Sequence, residues 1–249
     1  MTESSLLEMT DVSVSFDGFY ALTDLSIRLL PGELRSIIGP NGAGKTTFLD
    51  VITGKVRPTK GSVSFKGKNL RGLSEQKISR LGIGRKFQTP RVFDNLSVVR
   101  NLELAAAPIK SPLGLVTDKL PKAVKDDVQQ LLSYVGLAPY TRTQAGSLSH
   151  GQKQWLAIAM VVAQSPQLIL LDEPVAGLTD EETSRTADLI KSLAGTHTVV
   201  VIEHDMEFIR ELNAPVTVLH QGSVLTEGTL DTVKKDPKVI EVYLGQAQD

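Results

Sequence analysis

The stretch Gly39-Pro40-Asn41-Gly42-Ala43-Gly44-Lys45-Thr46-Thr47 restricts this chain more than any other. It carries the spacing G-x-x-x-x-G-K-[ST], with Leu34, Ile37 and Ile38 reading as a short buried strand ahead of it. Behind it Phe48, Leu49, Val51 and Ile52 fall on one side of a helix. In a strand, loop, helix unit of this kind the glycines let successive main-chain N–H groups close around a polyphosphate. The helix N-terminus points its partial positive charge at the same anion. Lys45 is then placed to neutralise β- and γ-phosphates, and the Thr46 hydroxyl to ligate Mg²⁺. An ordinary glycine-rich turn with an exposed lysine needs neither the full spacing nor the flanking elements.

A second stretch points to the same chemistry. Leu168-Ile169-Leu170-Leu171 is apolar without alternation and ends in Asp172-Glu173-Pro174, the pattern of a parallel strand buried on both faces. Ligands in such sheets sit at the carboxyl ends of the strands, so both acids are delivered to the edge that carries the phosphate loop. Asp172 suits the Mg²⁺ shell through water, and Glu173 suits the polarisation of an attacking water. Adjacent residues at a strand end face opposite sides, so the two acids are not expected to share a role. A further apolar run, Val199 to Ile202, ends in Glu203-His204-Asp205 and brings His204 to that edge, where an imidazole can hydrogen-bond a γ-phosphate. Ile83 to Gln88 reads as a strand presenting Gln88 before the breaker Thr89-Pro90. Taken singly, Gln88 reads more readily as a solvated polar residue and His204 as a packing histidine.

Around these lies a mixed chain. Leu7 to Phe16 alternates as an edge strand, followed by a strand through Leu25, Ile27 and Leu29. Phe16, Phe19 and Tyr20 cluster at the intervening turn, with Phe16 the preferred platform for stacking a base or else an edge residue. Ser74 is expected to cap a helix reaching Leu81. From Val98 to Ala163 the pattern is helical, with amphipathic runs over 98–107 and 123–135 and with Pro108, Pro112, Gly114 and Pro121 between them. Ser149 and Gln152 form an S-x-x-Q capping box, which aims free N–H groups outward at a potential anion site. A helix over 180–193 is expected to be capped by Asp180, and Gln221-Gly222 to turn a closing hairpin.

Composition excludes several partners. The 27 basic and 28 acidic residues leave a net charge of -1, which provides no global attraction to nucleic acid. Cysteine is absent, so neither disulfides nor thiolate chemistry enter. No apolar run approaches the roughly 18 residues of a membrane span, and Met1 to Ser5 lacks the basic and apolar regions of a secretory signal. The expectation is a soluble protein whose membrane role, if any, runs through a partner, with no room after Asp249 for an appended regulatory domain.

In order, these marks resemble the nucleotide-binding subunits of ABC transporters over the whole chain. Gly39 to Thr46 matches the Walker A loop, Gln88 the Q-loop, and Leu148-Ser149-His150-Gly151-Gln152 the signature motif. Leu168 to Asp172 with Glu173 matches the Walker B strand and catalytic glutamate, His204 the switch histidine, and Phe16 the base-stacking aromatic. The match departs at His150, where glycine is usual, and at Gly177-Leu178-Thr179-Asp180, where Ser-Ala-Leu-Asp is common. The resemblance implies an α/β fold of the P-loop NTPase, RecA-like type, with a mostly parallel core sheet, an antiparallel β subdomain and an inserted helical subdomain. Residues 1–88 and 166–249 would form the core and 89–165 the helical part.

It also implies ATP and Mg²⁺ as ligands, with Thr46, Gln88 and Asp172 around the metal and Glu173, His204 and Gln88 as catalytic groups. Phe16, Gly39, Pro40, Asn41, Gly42, Ala43, Gly44, Lys45, Thr46 and Thr47 would bind nucleotide in one subunit, and Ser149, Gly151 and Gln152 in the other, within a head-to-tail homodimer or heterodimer. The implied partners are integral membrane permease subunits and, indirectly, a solute-binding protein, with the chain cytoplasmic and peripheral on the inner face of the cell membrane. More narrowly, Arg85-Lys86-Phe87-Gln88 and Glu173 to Glu182 are similar to ATPases of the branched-chain amino acid and urea importer group, and most to those of urea importers. Urea or a short-chain amide is therefore the expected solute, with a branched-chain amino acid as the alternative. ABC-type ATPases acting on nucleic acid carry long coiled coils or fused units, for which the interval from Lys45 to Ser149 is too short.

Overall fold

A computed structural model describes residues 4–107 and 120–245. Its strands divide between two sheets according to how their apolar residues are spaced. Leu7–Phe16 (β1), Phe19–Leu29 (β2), Lys60–Phe65 (β4) and Lys68–Asn69 (β5) form an antiparallel sheet in the order β2-β1-β4-β5. Leu34–Ile38 (β3), Ile83–Lys86 (β6), Leu168–Asp172 (β7), Thr198–Ile202 (β8), Val216–His220 (β9) and Ser223–Gly228 (β10) form the second, in the order β10-β9-β3-β8-β7-β6. All its neighbours run parallel except the β9–β10 hairpin. This is the P-loop NTPase fold with a mostly parallel sheet and an antiparallel companion.

The unalternating runs occupy the middle of the parallel sheet because both their faces are covered. Leu168 and Leu170 of β7, with Val200 and Ile202 of β8, enter a core shared with the antiparallel sheet and with Lys45–Ile52 (α1). Ile169, Leu171, Val199 and Val201 enter a second core on the opposite face. That core is completed by helices Val98–Ala106 (α3), Lys122–Tyr134 (α4), His150–Val162 (α5) and Asp180–Leu193 (α6). A third, smaller core lies under Met206–Leu212 (α7), Leu230–Val233 (α8) and Pro237–Gly245 (α9). Register then aligns the strand ends: Lys86 is paired with Leu171, Asp172 with Ile202, and Ile37 with Ile202.

Three local expectations are corrected. β1 is not an edge strand, since β2 and β4 flank it. Its alternation reflects one wet face, with Glu8, Thr10 and Asp11 exposed, and a bulge at Asp11 (φ 49) shifts the register of both neighbouring pairs. Helix α6 is capped by Thr179 rather than Asp180. The extended Thr179 accepts the Glu182 N–H and the Glu182 carboxylate accepts the Thr179 N–H, a reciprocal box that Asp180, already helical, cannot form. β6 stops at Lys86, so Gln88 stands two residues past the strand. Ser74 does cap Glu75–Arg80 (α2), and the Ser149–Gln152 box opens α5. Pro108, Pro112 and Gly114 fall outside the described residues, and Pro121 is the N-cap of α4. Among the described residues no helix is long and apolar enough to cross a membrane.

Leu170 is wholly buried between α1 and the sheets. Leu170→Ala is expected to lower stability by about 2–5 kcal/mol, read as a fall in the midpoint of urea unfolding at unchanged slope.

Candidate functional site

The phosphate loop leaves β3 through Gly39, whose φ is 156 and whose added Cβ would lie 2.3 Å from the Leu219 carbonyl oxygen. It enters α1 through Gly44 (φ 97), where a Cβ would meet the Ala21 carbonyl oxygen at 2.6 Å. Strands β2 and β9 therefore pass too close for any side chain at either end of the loop. The hairpin turn braces it: the Gly222 N–H donates to the Ala43 carbonyl (3.1 Å), while the Gly222 carbonyl accepts the Thr23 N–H (2.9 Å). No side chain caps α1. The N–H groups of Gly44, Lys45, Thr46 and Thr47 have no acceptor among the described residues, the donor array an anion requires. Lys45 Nζ donates to the carbonyls of Gly39 (2.7 Å) and Pro40 (2.9 Å). Burial lowers its pKa, and the charges of Glu173 and Asp172 partly restore it.

At the end of β7 the two acids separate as alternation requires. Asp172 Oδ2 accepts from Arg85 Nη2 (3.0 Å), and Arg85 Nη1 donates to Asp50 Oδ1 (2.5 Å), so one buried guanidinium ties α1 to β7. The Arg85 guanidinium also lies 4.8 Å from the Phe87 ring centroid, with Arg91 at 4.5 Å from the same ring. Glu173 turns the other way with φ 44. Its Oε2 accepts from Gln88 Nε2 (2.5 Å), and its Oε1 lies 3.6 Å from His204 Nδ1. Gln88, Glu173 and His204 thus converge from three separate strand ends. Beneath His204, Glu203 is buried and accepts the N–H groups of Val175 (3.2 Å) and His204 (3.1 Å). Burial raises its pKa against the pull of those bonds. Burial pushes the Lys86 ammonium down to about 8, although Asp172, Glu203 and Glu173 all favour its charge.

The oxygen donors at this edge suit Mg²⁺. One Asp172 oxygen remains beside the Arg85 bond, and the Thr46 hydroxyl stands in the exposed first turn of α1. Mg²⁺ is held through one or two protein oxygens plus phosphates rather than by a protein cage. Among the described residues no cluster of three or more His, Cys, Asp or Glu is arranged to hold a metal by itself. The Gln88 amide nitrogen is engaged by Glu173, which leaves its oxygen for such a role.

The remaining predicted residues lie apart. At the start of α5 the Gln152 N–H donates to Ser149 Oγ (3.2 Å) and the Ser149 N–H to Gln152 Oε1 (3.0 Å). His150 Nε2 is 3.0 Å from the Ala176 carbonyl oxygen. A Cβ on Gly151 would meet the Glu182 carboxylate at 2.3 Å. Ser149 and Gln152 open onto a cavity lined also by Trp155, Thr179, Glu182 and Arg185, and no phosphate-loop residue lines it. Phe16 is 48% exposed at the end of β1, with Phe19 and Tyr20 more exposed still. Sequence reasoning missed Asp50, Arg85, Lys86 and Glu203. The one available signal was consecutive cations, Arg85-Lys86, inside a strand that leads to the site.

Comparison with known proteins supplies the family for this fold. Residues 22–176 match the family described as ABC transporter, and residues 223–249 match the family described as branched-chain amino acid ATP-binding cassette transporter. The chain is 35% identical over 251 residues to the high-affinity branched-chain amino acid transport ATP-binding protein LivG of Escherichia coli K12, covering 97% of this chain and 98% of LivG. Among solved structures it resembles the ADP conformation of an ATP-binding cassette of an ABC transporter, with a TM-score of 0.84, 30% identity and coverage of 97% and 99%. It also resembles a dimeric, post-hydrolysis ATP-binding cassette bound to ADP and Pi, with a TM-score of 0.75, 26% identity and coverage of 90% and 98%. The expected likeness to urea importer ATPases receives no support from these relatives. The chain belongs to the ABC transporter family, as an ATP-binding subunit of the branched-chain amino acid transport type.

Proposed function

We propose that this chain hydrolyses ATP to power an importer of branched-chain amino acids. The observation that carries the catalytic half is the meeting of Gln88, Glu173 and His204 at the sheet edge that also holds the phosphate loop. The free N–H groups of Gly44 to Thr47 receive the polyphosphate, and Lys45 exchanges its loop carbonyls for phosphate oxygens. Phe16 supplies a face for the base. Glu173, oriented by the Gln88 amide, accepts a proton from the attacking water, and His204 holds the γ-phosphate. Asp172 and Thr46, with the Gln88 oxygen, would hold Mg²⁺, which when bound supplies charge neutralisation at the phosphates.

The Ser149 turn opens onto a cavity that no phosphate-loop residue lines, and its N–H groups and hydroxyl serve the nucleotide of a second ATPase subunit, identical or paralogous. The dimeric ADP-bound relative supports that reading. ATP then acts as a bridge that closes two half-sites, and hydrolysis releases them. Residues 89–165 act as the helical unit that carries the Ser149 turn. The segment 89–96, with Phe93 exposed, faces membrane permease subunits on the cytoplasmic side of the membrane. A solute-binding protein acts beyond them.

LivG favours a branched-chain amino acid as solute, and urea or a short-chain amide is the second reading, resting on motif resemblance alone. Reconstitution with the cognate permease subunits and solute-binding protein is expected to show ATP turnover stimulated by leucine, isoleucine or valine; stimulation by urea alone would reverse the order. Glu173→Gln is expected to keep ATP affinity, to accumulate an ATP-bound dimer by small-angle scattering and to lose turnover by at least about 100-fold. Normal hydrolysis would remove Glu173 from its role. For Lys45→Ala, ATP binding measured by calorimetry should disappear, and retained tight binding would refute the phosphate-loop assignment.

A further inference from the structure

Two consecutive cations end β6, and strand alternation sends them to opposite faces of the neighbouring β7 terminus. Arg85 takes the side chain of Asp172, as described above. Lys86 takes main chain instead. It is 2% exposed, and its Nζ lies 3.3 Å from the Gln88 carbonyl oxygen and 3.4 Å from those of Asp172 and Glu173. Among the described residues it forms no ion pair, so its three N–H donors are directed at three carbonyls. These contacts are long for single hydrogen bonds, but an ammonium among three carbonyl dipoles is held electrostatically in a dry site.

Glu203 is the complement, 1% exposed, with one oxygen on the Val175 N–H and the other on the His204 N–H. The segment 173–175 is therefore gripped from below at its carbonyl end by a buried cation and at its N–H end by a buried anion. That segment needs a grip. Glu173 sits at φ 44, in the left-handed region that is strained for a residue with a Cβ and persists only when its surroundings enforce it. A pair of charges buried merely to offset one another would form an ion pair with each other. These two instead turn to the backbone that carries Gln88, Glu173 and His204, Lys86 to its carbonyls and Glu203 to its N–H groups, with the His204 ring Nδ1 also 3.8 Å from Glu203 Oε2.

We infer that Lys86 and Glu203 are positioning residues, which together fix the carboxylate of Glu173 and the imidazole of His204 at their working separation by clamping the main chain beneath them. The inference rests on Glu173 being the base. Its test is made on the full-length dimer-forming protein with Lys86→Met and Glu203→Gln, each alone and combined with Glu173→Gln. Circular dichroism at low temperature establishes the folded fraction, calorimetry the ATP affinity, and phosphate release the kcat and KM.

The expected result is a kcat lowered about 10- to 100-fold per folded molecule, the scale of displacing a reacting group by about 1 Å, with ATP affinity and KM within about threefold of the parent. In the Glu173→Gln background neither substitution should lower the residual rate further, because a clamp has nothing left to position. Should Lys86→Met fail to fold, Glu203→Gln, an isosteric change that removes one acceptor, carries the same expectation. Normal kcat in folded Lys86→Met or Glu203→Gln, while Glu173→Gln is impaired, would overturn the positioning role alone, as would losses that add fully to that of Glu173→Gln. Normal turnover in Glu173→Gln itself would remove the base and the clamp with it.

Discussion

Burial of β7 and β8 on both faces is the constraint from which the rest follows. Alternate residues of each strand are claimed by different cores, so neither strand can slip by one position without exchanging every buried side chain between them. Their ends are fixed to the residue. Asp172, Glu173, Glu203 and His204 need no local device to find the sheet edge, since the apolar runs that precede them deliver them there. The polar chemistry is a by-product of hydrophobic registration.

What hydrophobic registration cannot do is hold like charges together. Asp50, Asp172, Glu173 and Glu203 crowd one region of the sheet edge, and the fold places Lys45, Arg85 and Lys86 among them. Arg85 satisfies two carboxylates with the paired geometry that a guanidinium allows and an ammonium does not. Lys86, a compact charge with three donors, suits a nest of carbonyls instead. The order Arg85-Lys86 matches the two faces of β7 in a way the reverse order would not.

Much of this was legible from sequence wherever local spacing carries the physics. The phosphate loop, the acid-terminated strand, the Ser149–Gln152 box and the Gln221-Gly222 turn are short-range patterns, and each folds as its pattern requires. Failures occurred where a decision depended on a distant partner. β1 looked like an edge because alternation reports one wet face and says nothing about lateral neighbours. Thr179 and Asp180 are both able caps, and only the Glu182 carboxylate chooses between them. Arg85 and Lys86 were given no role of their own within the strand leading to Gln88, because the partners of Arg85, Asp50 and Asp172, stand 35 and 87 positions away in sequence. The solute escaped for a different reason: on the proposed function it touches other chains and leaves no mark on this one.

The hairpin turn at Gly222 has a consequence for how the protein comes into being. β3, which delivers the phosphate loop, lies between β8 and β9, and the loop itself is pinned by the turn that follows β9. A nascent chain emerging from the ribosome therefore carries the loop long before it possesses the walls that shape it. The shape of the loop is therefore settled by strands and a turn that follow it far along the chain, and it is complete only once β8, β9 and the turn at Gly222 have joined β3.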